Sequence, residues 1–434
     1  MKIPKRPLVL CALVVFTLSA QADERECGGE SCIAVIRGAF AFVDRSPHGI
    51  TGNGRACADC HMPSDNFQLS PTDVEMRFQN LQARRLRHKS ADDPLFRAID
   101  ADDFRTAGDA ASDFSNLREN GLVRISFQLP ANLRLIDPAT NAVSSETSVD
   151  VWRMVPSVVN VKLTGPDGVN PWFRGPNLSG GYQLDARIGT LQEQASAALT
   201  NHAQVLGTPP QRLLDDLAAF QNRLFSSPRV RAFADAIRTG DPVLPNPDPP
   251  LNAFQLQGKA VFTRACAQCH GGAGQSTPEP PVVRYHDIST QCPRPVDTEV
   301  PARWQFKPCP ARLARNARTY VITLPDGSTI KRSSSDPGRA LLTGFAGVGI
   351  PGRDDWNKFD APGLRGISRT APYFHNNSAE TLEEVVNHYV EFFKRVEAVA
   401  PVAFPPIIST DGAHADRPPT PEEVPALLAY LRTL

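Results

Sequence analysis

The chain has 434 residues and balances 46 Lys and Arg against 46 Asp and Glu, so its formal charge is zero with histidine neutral. That balance gives no sign of a basic nucleic-acid surface or of an anchor to anionic lipid, so a partner must be sought through a local patch. The length exceeds what one hydrophobic core covers, which predicts two domains.

Residues 1–22 read as a secretory signal peptide. Lys2, Lys5 and Arg6 precede the apolar run from Leu8 to Ala20, and Ala20-Gln21-Ala22 is an A-x-A cleavage pattern. The run is too short to span a bilayer, and no later segment reaches the ~18 apolar residues a span requires, so the processed chain is expected in the periplasm with no membrane span. Cleavage removes three basic and no acidic side chains and leaves the chain slightly acidic.

Residues 23–240 are the expected N-terminal domain. Cys27 and Cys32 read as a local disulfide, as do Cys292 and Cys309 further on. Ala-Cys57-Ala-Asp-Cys60-His61 follows, then residues 63–150, an insertion without a legible role. The run from Thr239 to Pro250 holds five prolines and predicts an extended linker over residues 241–250. Residues 251–434 are the expected C-terminal domain. There Gly258, Val261 and Phe262, with Leu256 and Ala260, make an apolar stripe at helical spacing leading into Cys266-Ala-Gln-Cys269-His270. A second insertion, 276–335, contains one hairpin signal, Thr319 to Ile330, turning at Asp326-Gly327. The last helix is expected from Glu422 to Leu434, with Leu427, Leu428 and Leu431 on one face. Cys-x-x-Cys-His is the attachment motif of a c-type haem and occurs once in each half, so the fold class that follows is mainly α: two cytochrome c-like haem domains with long irregular loops.

Both Cys-x-x-Cys-His motifs carry one chemistry. Two thiols add to the vinyl groups of a haem while the adjacent imidazole is placed below the iron, so two covalently bound haems c are expected, at Cys57, Cys60 and His61 and at Cys266, Cys269 and His270. The halves repeat a plan: His61 and His270 are 209 apart, Leu217 and Leu427 are 210 apart, and Thr190-Leu-Gln-Glu and Thr381-Leu-Glu-Glu are 191 apart. After processing, Met62, Met76 and Met154 remain, all in the first half, so the second haem has no methionine of its own domain as a sixth ligand.

The run Asp336-Pro-Gly-Arg-Ala-Leu-Leu-Thr-Gly344, with Pro362-Gly-Leu-Arg365, Thr370-Ala-Pro-Tyr-Phe-His375 and Thr381 to Tyr389, resembles the bacterial di-haem cytochrome c peroxidase/MauG family. The first half resembles it more loosely, through Val155 to Asn160 and Asp185 to Gln194. The resemblance implies that the first haem reacts with hydrogen peroxide while the second relays electrons from a periplasmic partner, a small cytochrome c or a cupredoxin. It implies Tyr389 as distal ligand of the second iron, with His388 its neighbouring competitor, and a calcium ion at Asn160, Thr370 and Pro372. Gln194 matches the family's glutamine. The chain departs from the family at the tryptophan between the haems, which falls on Leu184 in Leu184-Asp185-Ala186-Arg187, and at the distal acid, which falls on Gln204. His202 is the nearby group able to titrate in place of that acid, and Tyr182 or Trp172 could replace the tryptophan. With these departures three functions stay open: a peroxidase-type oxidoreductase, a non-enzymatic electron carrier, and a di-haem oxygenase using O₂.

Overall fold

A computed structural model describes residues 26–104, 113–166, 181–271, 285–290, 310–346, 354–399 and 418–434. The signal segment 1–22, Trp172, Cys292 and Cys309 lie outside the described residues. The helices that frame the site are α1 (Cys32–Val43), α2 (Leu191–Asn201), α3 (Gln211–Gln221), α4 (Ala253–Ala265), α5 (Leu382–Val399) and α6 (Val424–Leu431). Five strands belong with them: β1 (Leu122–Gln128), β2 (Leu133–Leu135), β3 (Ser148–Met154), β4 (Arg318–Thr323) and β5 (Thr329–Ser334).

In each half two helices cross over the haem motif at a glycine. A Cβ on Gly38 of α1 would lie 1.9 Å from the Asp216 carbonyl oxygen of α3, and one on Gly258 of α4 would lie 1.8 Å from the Ala426 carbonyl oxygen of α6. Only glycine permits so close a backbone approach. The α1–α3 contact continues into a core of Phe42, Leu191, Leu199, Leu213 and Leu217, and the α4–α6 contact into one of Phe262, Val386, Leu427, Tyr430 and Leu431. Each such side chain contributes ~1.5–3 kcal/mol when fully buried. The stripe expected on α4 is narrower than its spacing implied. Gly258, Val261 and Phe262 are buried, whereas Leu256 and Ala260 are exposed because α6 covers one side only.

Cys27 and Cys32 form the expected disulfide, at the first residue of α1. The expected linker has no helix or strand from 241 to 252, yet it is pinned: Asp248 is buried and pairs with Lys259 at 2.6 Å and Arg365 at 3.0 Å.

The hairpin forms as β4 and β5, antiparallel from Arg318–Ser334 to Thr323–Thr329. Strand content goes beyond it, and here the expectation of irregular loops needs correction. β1 of the first insertion pairs across seven residues with β3, which runs past the insertion's end, and β2 from the same insertion pairs with β4, so the two insertions share a three-stranded sheet. Leu133, Leu135, Val149, Val151, Tyr320, Ile322 and Trp356 close a core on it. The insertions are an inter-half layer built from both halves of the chain.

No helix among the described residues is long and apolar enough to cross a membrane.

Candidate functional site

Each haem motif is one helical turn. In the first, the short helix Cys57–Cys60 is continued by the His61 N–H donating to the Cys57 carbonyl at 2.8 Å; in the second, the His270 N–H donates to the Cys266 carbonyl at 2.8 Å. Residues at i, i+3 and i+4 share a helix face, so both sulfurs and the imidazole of each motif turn the same way. All six line one cavity of about 1110 Å³ that runs through both halves.

The cavity fits the group the motifs call for. None of the four motif cysteines is bridged, and burial pushes Cys57 and Cys266 up to about 12 and Cys60 and Cys269 up to about 11, so all four are neutral thiols. His61 Nδ1 is held by the Phe67 carbonyl at 3.1 Å and His270 Nδ1 by the Pro362 carbonyl at 3.1 Å. A backbone acceptor on Nδ1 fixes the ring and directs Nε2 to a metal. Burial lowers His61 to about 4, which keeps it the neutral ligand iron requires.

On the first-half wall, α2 presents Gln194, Ala197, Ala198, Asn201 and, at its C-terminal cap, His202. Burial holds the His202 imidazole below its ordinary value, opposed by the Asp100 carboxylate nearby. Its carbonyl accepts from Asn53 Nδ2 at 2.9 Å and from Arg55 Nη1 at 3.4 Å. Gln204 is not on this wall. It is exposed, takes left-handed backbone (φ 51°), and accepts from Asn53 Nδ2 at 3.0 Å. The helix ends at Asn201, so the chain turns Gln204 outward while His202 stays inside.

On the second-half wall, the partly buried Tyr389 of α5 lines the cavity, and burial together with the Cys269 and Cys266 thiols pushes its phenol up. His388 is turned elsewhere, its Nε2 at 2.7 Å from the Ile288 carbonyl. Between the halves, Leu184 lines the cavity where the family has tryptophan, and its carbonyl accepts the Asp360 N–H at 2.9 Å. Tyr182 lines the first half of the cavity beside it.

Asn160, Thr370 and Pro372 also lie on the wall. The Asn160 amide is engaged with protein: Oδ1 accepts the Ser226 N–H at 2.9 Å, and Nδ2 donates to Ser226 Oγ at 3.0 Å and to the Arg365 carbonyl at 2.8 Å. As arranged, Asn160 joins the two halves.

The sequence did not reveal Arg55 and Asp100. Arg55 lines the cavity two residues before Cys57, is buried, and pairs with buried Asp100 from the first insertion while donating to the Pro94 carbonyl at 2.8 Å and the Leu95 carbonyl at 2.5 Å. His375 was quoted only as part of a motif. It is buried on the cavity wall, stacked on Phe359 at 4.2 Å between centroids, with Nδ1 3.2 Å from Thr290 Oγ1.

No protein-family model matches the chain, and no curated protein does. Among solved structures it is similar to a MauG-like protein associated with microbial copper homeostasis, at 17% identity and TM-score 0.43, covering 93% of this chain and 89% of that one. It is also similar to the diheme peroxidase BthA from Burkholderia thailandensis E264, at 18% identity and TM-score 0.40, covering 93% and 86%. A third is the Kuenenia stuttgartiensis hydrazine synthase, at 18% identity and TM-score 0.33, covering 79% and 86%. At these values the functional reading rests on the residues of this chain.

Proposed function

We propose that this chain is an exported di-haem c-type cytochrome of the cytochrome c peroxidase/MauG type, an oxidoreductase whose first haem site takes hydrogen peroxide and whose second relays electrons to it. The observation that carries the reading is the pair of Cys-x-x-Cys-His turns facing one cavity, with unbridged sulfurs and with both imidazoles anchored through Nδ1 on backbone carbonyls. Haem bound at these turns supplies an iron that accepts electrons and, where its sixth position is open, a small oxygen ligand.

The residues of the chain divide the work. His202 is half-buried on the first wall with its imidazole held below its ordinary value by burial, which suits it to take a proton from one peroxide oxygen and return it to the other. Gln194, on the helix that His202 caps, also lines this wall, and its amide is suited to orient the bound oxygens. Tyr389 lines the cavity in the second half, which supports a closed second site suited to electron relay. Small periplasmic cytochromes c or cupredoxins are the matching electron partners.

Stopped-flow mixing with peroxide tests this. Wild type should react, and His202→Ala should react ~10²–10⁴-fold more slowly, the usual contribution of a positioned general acid/base. Gln204→Glu, which restores the family's acid in sequence, should rescue nothing in His202→Ala because position 204 faces solvent. A negligible wild-type rate would contradict the peroxide reading in favour of an electron carrier, and a fast rate untouched by His202→Ala would remove His202 from the chemistry.

A further inference from the structure

Two stretches of the chain repeat one local structure at one constant spacing. Tyr182 and Ile188 form an isolated antiparallel bridge, and so do Tyr373 and Ala379. Inside each bridge two non-glycine residues take left-handed backbone: Gln183 (φ 74°) and Ala186 (φ 56°) in the first, Phe374 (φ 69°) and Asn377 (φ 53°) in the second. Such conformations are uncommon, so their recurrence at matching places is a sensitive register mark. Thr190 Oγ1 then accepts the Glu193 N–H at 3.2 Å and opens α2, and Thr381 Oγ1 accepts the Glu384 N–H at 3.2 Å and opens α5. Every one of these pairs is 191 residues apart.

A register fixed by bridge, backbone and cap equates the two helices residue by residue. Tyr389 falls on Ala198, and Phe393 falls on His202; all four line the cavity. In the second half the phenol of Tyr389 and the ring of Phe393, stacked with centroids 6.1 Å apart, fill the wall. In the first half the matching positions carry a methyl group and an imidazole. The two walls are one scaffold with different occupants.

We propose that Ala198 is the residue that keeps the sixth coordination position of the first haem open, and that the Ala198/Tyr389 difference divides one duplicated scaffold into a reactive site and a closed one. This rests on the di-haem reading above. The same register pairs the polar group needed at an open site, His202, with the apolar ring suited to a closed one, Phe393.

Azide titration of the holoprotein, followed by visible absorption and EPR, tests the proposal without turnover. Wild type should bind azide at one of its two haems. Ala198→Tyr should weaken that binding by at least about 100-fold, since a ligand held on the same helix competes at high effective concentration, and should give the first haem the spectral signature of the second. Tyr389→Ala should add a second azide-binding haem, and it decides the matter alone if Ala198→Tyr does not mature. One azide site that survives Ala198→Tyr, or a stoichiometry unchanged in Tyr389→Ala, would overturn the assignment while leaving the di-haem reading intact. A wild type with two haems and no azide site would overturn both the open first iron and this proposal.

Discussion

Tyr389 and His388 are adjacent in sequence, but a helix turns about 100° per residue and only one of them faces the second haem motif. His388 is tied at 2.7 Å to the Ile288 carbonyl, while Tyr389 lines the cavity beside the Cys266 and Cys269 thiols. Tyr389→Phe should therefore change the visible and EPR spectra of one haem and spare the other, and His388→Ala should leave both spectra as they are. The opposite pattern would make His388 the ligand. At this scale the sequence was informative where spacing alone sets geometry, as in the two motif turns. It was silent where partners come from far away: Arg55 meets Asp100 from an insertion, and His61 and His270 are oriented by the carbonyls of Phe67 and Pro362, which no side-chain pattern encodes.

Helix pairs were legible in outline because their apolar spacing and caps are local. The repeated Thr-Leu-x-Glu is such a signal, and its cause is a threonine hydroxyl capping the third helical N–H in both halves. The width of each buried stripe was not legible, since it depends on which faces a partner covers. Gly258 shows what the crossing demands: a methyl there would lie 1.8 Å from the Ala426 carbonyl oxygen. Gly258→Ala should lose ~1–3 kcal/mol or more to forced separation of α4 and α6, whereas Ala260→Ser on the exposed side of the same helix should stay within about 0.5 kcal/mol. Urea denaturation of the holoprotein reads both. β3 alternates buried and half-buried residues over its seven positions, which is a strand's period. Its partner β1 does not alternate cleanly, and β2 is too short to register, so the sheet becomes visible only once distant segments pair.

The halves meet around a buried ion cluster that no local reading finds. Arg153 donates to Asp336 at 2.6 and 3.0 Å and to Asp185 at 2.5 Å, Arg187 donates to Asp185 at 2.6 Å, and Arg153, Asp185 and Asp336 are at most 1% exposed. Arg153 and Asp185 come from the first half and Asp336 from the second, so the cluster fixes how the two motif turns share one cavity. Removing one partner leaves buried charge uncompensated, and Arg153→Leu should cost about 3–5 kcal/mol. Arg153→Leu with Asp336→Asn should cost less than the sum of the two single changes, because the second removes the charge the first exposes. A double-mutant cycle in urea measures that coupling, and additive costs would mean the cluster does not act as a unit.

Everything assigned to this molecule depends on two haems held by thioether bonds at Cys57/Cys60 and Cys266/Cys269. Denaturing mass spectrometry of the purified protein is the most direct test. The account predicts a polypeptide lacking residues 1–22 plus the mass of two haems, falling to one haem in either Cys57→Ala/Cys60→Ala or Cys266→Ala/Cys269→Ala. A polypeptide mass with no haem, or with one only, in the wild-type protein would contradict it.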